Sequence, residues 1–110
     1  MKLPDNINIM STNYTVNYIN ERSELDPVGL SILDGVILFD INEIRVYNKL
    51  DKETKFKTLF HEMVHGIVRE MNIWEIQDHE NSERIVDSVA IGLFDTLIRN
   101  RMIEVDDDEE

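Results

Sequence analysis

Residues 54–71, TKFKTLFHEMVHGIVREM, place Phe56, Leu59, Phe60, Met63, Val64, Ile67, Val68 and Met71 at i, i+3, i+4 and i+7. That is the period of an amphipathic helix, here about 18 residues long. Thr54 is a side chain of the kind that caps a helix start, and residues 48–53 before it form a polar linker. HEMVH, residues 61–65, falls in mid-helix. Residues four apart stack on one helical face, so His61 and His65 can direct an imidazole nitrogen to one point in space. Glu62 is turned by about 100° from His61, a poor position for a third ligand beside them but a good one for a base acting at the same point.

Upstream, GVILFDINEIRVY at residues 35–47 contains two β-rich runs, 36–39 and 43–47, parted by Asp40, Ile41 and Asn42. This is the pattern of a β-hairpin with a tight polar turn. In TNYTVNYIN, residues 12–20, Tyr14, Val16, Tyr18 and Asn20 alternate with polar positions. The alternation suggests a third strand, or a helix start if Ser11 and Thr12 act as caps. Residues 21–29, with Pro27 and Gly29, read as a connection. Downstream, the helical pattern breaks around Trp74 and ends in DHENS, residues 78–82. Ile85, Val86, Val89, Ala90, Leu93, Phe94, Leu97 and Ile98 then restore it as far as about Arg101. Two long helices therefore follow a hairpin, which makes the class α+β. Trp74 and the phenylalanines are expected in the core.

A chain of 110 residues with 42% hydrophobic content supports one domain, assigned to residues 1–103. It has no apolar run approaching a membrane span, and MKLPDNIN lacks a basic region followed by an apolar stretch. The reading is soluble and cytoplasmic. There are no cysteines, which removes disulfide frameworks, thiol nucleophiles and cysteine-based zinc sites. Any metal must be held by His, Asp and Glu. Of the net charge of −12, six negative charges lie in residues 104–110, an acidic tail expected to be disordered. The remaining body, at −6, offers no basic surface for nucleic acid. The expected partner is a protein or peptide, neither nucleic acid nor membrane, and the oligomeric state stays open.

Catalytic zinc takes three protein ligands and a water whose pKa it lowers toward about 7. A third ligand must therefore come from Asp78, His79, Glu80, Glu83 or Asp87. Glu83 and Asp87 stand four apart on the second helix, so one can bind metal while the other accepts the remaining N–H of a ligating histidine. Glu83 is assigned to the metal and Asp87 to the histidine. HExxH alone arises by chance. Here it lies mid-helix, after a hairpin and shortly before a helix carrying ExxxD. Tyr47, which ends the hairpin, is the one candidate for a proton donor on the opposite lip. Metzincin spacing is absent, since position 71 is Met where a third His is needed.

HEMVHG followed by ERIVDSVAIGLF, residues 83–94, resembles the ImmA/IrrE-type metallopeptidases, small gluzincin-like proteins of bacterial mobile elements and phages. The second helix in that family has the form ExxA(D/N)xFAxxLL. Glu83, Val86, Asp87, Val89 and Ala90 fall on its successive positions, with Val replacing the Ala and the Phe. Glu followed four residues later by Asp is also similar to thermolysin-type gluzincins. The resemblance covers roughly residues 35–98. It implies one Zn2+ held by His61, His65 and Glu83, with Glu62 as catalytic base. It implies a minimal zincin-like fold, a small antiparallel sheet of the hairpin and a third strand packed on two long helices. The implied activity is peptide-bond hydrolysis in a regulatory protein of a phage or mobile element. A rival reading is a catalytically silent zincin-fold module that binds such a protein, and a third is a helical interaction domain without metal.

Overall fold

In the computed structural model, which describes residues 2–26 and 33–105, the alternation of Tyr14, Val16 and Tyr18 belongs to a strand. The strands are β1 (Asn6–Ile9), β2 (Thr12–Ile19), β3 (Gly35–Leu38) and β4 (Glu43–Tyr47). The helices are α1 (Lys52–Glu70), α2 (Trp74–Gln77) and α3 (Ser82–Arg99), and a 3-10 turn spans Arg22–Glu24. The expected connection through Pro27 and Gly29, and the acidic end from residue 106, lie outside the described residues.

The sheet has four strands in the order β1-β2-β4-β3. The expected hairpin is β3 and β4, with Leu38 opposite Glu43 and Asn42 at φ 51° in the turn, a conformation that asparagine tolerates. The all-antiparallel arrangement expected from the sequence is corrected: β2 and β4 run parallel in the centre, and only the outer pairs are antiparallel. β4 carries Ile44 and Val46, both 0% exposed, and takes the central place beside β2. β3, half-buried throughout, is left as an edge. The first strand, β1, had no counterpart in the sequence reading. Its turn to β2 places Met10 at φ 57° where glycine or asparagine would ordinarily announce a hairpin.

α1 is apolar on two faces because it is the middle layer. Toward the sheet, Leu59 joins Ile9, Tyr14, Val16, Ile44 and Val46 in one core. Gly66 allows the close approach, since a Cβ there would stand 2.5 Å from Ile9 Cδ1 and 3.3 Å from Ile37 Cδ1. On its other side Val64 and Val68 pack with Val86 and Ala90 of α3. The Phe60 and Phe94 rings meet edge to face at 5.3 Å. The layers are thus sheet, α1, α3. The expectation that both long helices lie on the sheet is corrected, because α3 packs chiefly on α1. One neighbour covers one stripe, Val86, Ala90 and Phe94, and leaves Val89 and Leu93 exposed. Ile67 and Met71 of the expected α1 stripe are exposed too, as is Trp74, which is not a core residue.

α1 starts one turn earlier than expected. Its cap is Asp51, whose Oδ1 accepts the Thr54 N–H at 2.7 Å, and Thr54 lies inside the first turn. Asn72, at φ 54°, ends the helical run and turns the chain into α2. No helix among the described residues is long and apolar enough to cross a membrane.

Candidate metal centre

His61 and His65 project from one face of α1 with ring centroids 4.9 Å apart, as their spacing requires. α3 crosses that face with Glu83 in its first turn. His61 Nε2 lies 2.7 Å from Glu83 Oε1, and His65 Nε2 lies 3.1 Å from Glu83 Oε2. Among the described residues these three side chains offer donor atoms within 4.8 Å of one another, a group that could hold a metal ion. Tetrahedral bonds of about 2.0–2.1 Å set ligand atoms roughly 3.3 Å apart. The His65 spacing is close to that value and the His61 spacing needs to open by about 0.6 Å. Two imidazole nitrogens and one carboxylate are also a donor set that suits a borderline cation such as zinc. The residues present therefore fit a divalent metal.

Asp87, one turn after Glu83, places Oδ1 3.2 Å from His61 Nδ1. A ring protonated at Nδ1 donates there and keeps its Nε2 lone pair for the shared point. Partial burial pushes the Glu83 carboxyl up, but the hydrogen bonds and charges of His65 and His61 outweigh it and hold the group below the usual carboxylate range.

Glu62 has a different environment, at 5% exposure on the sheet side of the two histidines. Burial raises its carboxyl to about 7; the His61 charge opposes this shift and the Glu83 charge adds to it. A carboxyl at that value holds and releases a proton near neutral pH. Facing it is the edge strand. A Cβ on Gly35 would stand 2.5 Å from Thr58 Cγ2, 3.1 Å from the Arg45 carbonyl and 3.4 Å from Glu62 Oε2, so only glycine lets β3 come this close. Together β3, α1 and α3 bound a cleft of about 680 Å3 lined by Gly35, Val36, Thr58, Glu62 and Ile91 together with His61, His65 and Glu83.

The structure thus brings His61, Glu62, His65, Glu83 and Asp87 together and leaves the other candidates out. Tyr47 is not among the residues that line the cleft. Its ring lies under the Arg22 guanidinium at 4.1 Å, and its N–H donates to the Asp34 carbonyl. His79 accepts the Asn81 N–H on Nδ1 in the turn before α3. Neither it nor Asp78 or Glu80 belongs to the group of possible ligands. Gly35, Thr58 and Ile91 were not legible as site residues, because their place depends on which strand forms the edge. Comparison with protein-family models, curated proteins and solved structures gave no match.

Proposed function

We propose that this chain is a zinc-dependent peptide hydrolase built on a minimal zincin-like fold. The observation that carries the reading is the convergence of His61, His65 and Glu83 beside the buried Glu62, in a cleft bounded by β3, the last strand of the sheet among the described residues. Zinc held by the three side chains would supply Lewis acidity, polarising a carbonyl and acidifying water. Glu62 takes the proton from the attacking water and later delivers it to the leaving amine, so it ends in the state in which it began. Asp87 holds the His61 ring in the orientation and tautomer that binding needs. Among the described residues the outer edge of β3 has no strand partner, and it accepts an extended peptide by strand addition, which carries the scissile carbonyl alongside α1. The ImmA/IrrE-like pattern in residues 61–66 and 83–94 supports a regulatory protein as the substrate class.

The test is elemental analysis of protein purified without chelator or metal-affinity resin, beside His65→Ala and Glu83→Ala. The expected result is near one zinc per chain, lost in both variants, with Glu62→Gln keeping zinc and losing peptide cleavage. A protein that holds no metal and takes up none on addition of zinc refutes the proposal and turns the reading to a binding module of the same fold.

A further inference from the structure

A second cavity, of about 480 Å3, opens beyond His65, and its wall shares Phe39 and His65 with the metal cleft. The two spaces adjoin at those side chains. Val68 and Val86, 7% and 1% exposed, supply apolar lining. Trp74 stands in the wall at 58% exposure, although an indole of that size is ordinarily buried. Asn72 and Ser82 add polar lining, and two further polar groups of the wall help to build the cavity. Arg69 lies over the Phe39 ring at 4.5 Å, and Gln77 Nε2 donates to the Val68 carbonyl at 3.0 Å, tying α2 to the end of α1.

The register of β3 against α1 sets the distance from the metal centre. Gly35 faces Thr58 and Glu62, Ile37 faces Gly66, and Phe39 faces Arg69, so the edge strand and α1 run side by side. From Glu62 to Arg69 the helix advances about 10 Å, roughly three residues of extended chain. A peptide added to β3 with its scissile bond at Glu62 brings a side chain within three residues of that bond to the cavity. We propose that this cavity is the side-chain subsite that selects the substrate, taking an aromatic or large aliphatic residue against Trp74 and Phe39. The inference rests on the peptide-hydrolase reading, deepens it by naming the side chain recognised, and involves no chemistry at the metal.

Trp74 is the single tryptophan of the chain, so its emission reports on the cavity. Zinc-loaded Glu62→Gln protein is titrated with blocked glycine heptapeptides carrying one central Phe, Ala or Asp. The expected result is an affinity about tenfold higher for Phe than for Ala, with a shift in Trp74 emission. Adding Ser82→Phe, which fills the cavity from its wall, should bring the Phe-to-Ala ratio to about one with zinc content unchanged. Equal affinities, binding of none of the peptides, a preference for Asp through Arg69, or a Phe preference that survives Ser82→Phe each overturns the subsite. The titration needs no turnover. Selective Phe binding by a protein that never cleaves would retain the subsite and remove the hydrolase, whereas cleavage without side-chain preference would do the reverse.

Discussion

Replacing Glu62 by glutamine in the metal-free protein should stabilise the fold at neutral and alkaline pH and leave it nearly unchanged in acid. Glu62 is 5% exposed, and burial carries its carboxyl from 4.5 to about 7. Between those values the unfolded chain gives up a proton that the folded chain retains. Stability therefore falls as pH rises through the window, the reverse of the usual salt-bridged carboxylate. Each pH unit is worth about 1.4 kcal/mol, so a gap of roughly two and a half units costs about 3 kcal/mol above pH 7 and nothing well below pH 4.5. Glutamine has nearly the same shape and carries no charge, so it escapes that cost. Urea unfolding of parent and variant in the presence of chelator, followed from about pH 4 to about pH 8, reads the difference directly because the other titrating groups are common to both. The expected gain grows from near zero to about 3 kcal/mol. A difference that stays constant with pH, or a variant less stable than the parent at about pH 8, refutes the buried, proton-holding state assigned to Glu62.

Other substitutions separate the parts of the site from the fold that carries them. Asp87→Ala should weaken zinc binding by about 10–100-fold, measured by competition with a chromophoric chelator, because His61 loses the group that orients it; unchanged affinity would remove Asp87 from the site. Gly35→Ala should cost about 1–3 kcal/mol in urea unfolding, since its Cβ meets Thr58 and the Arg45 carbonyl, and an unaffected midpoint would show that β3 stands farther from α1. Asp51→Ala should lower the midpoint of thermal unfolding through loss of the cap on α1, and a thermal melt identical to the parent's would return the cap to Thr54.

Sequence pattern and structure part most where a residue's position depends on distant parts of the chain. α1 and α3 were visible because their apolar side chains recur at the helical period, and His61 and His65 had to share a direction because they are four apart on one rigid element. The β3–β4 hairpin was visible because Asp40, Ile41 and Asn42 separate two β-rich runs. β1 was not, since Met10 bears the left-handed turn without a glycine or asparagine to announce it. Nor was the exposure of Val89, Leu93 and Trp74: periodicity marks an apolar face but not whether a second element covers it.

Local chemistry by itself determined two histidines on one helix, a glutamate between them, and an acid pair on a later helix. Only the tertiary structure decided that Glu83, rather than His79 or its neighbours, reaches both imidazoles, and that Asp87 backs His61. It also decided that Tyr47 stands outside the cleft and that β3 is the edge bounding it. The physical reason is that helix and turn propensities act over a few residues. Which strand pairs with which, and where α3 crosses α1, is decided by burying Ile44, Val46, Val64 and Val86 all at once.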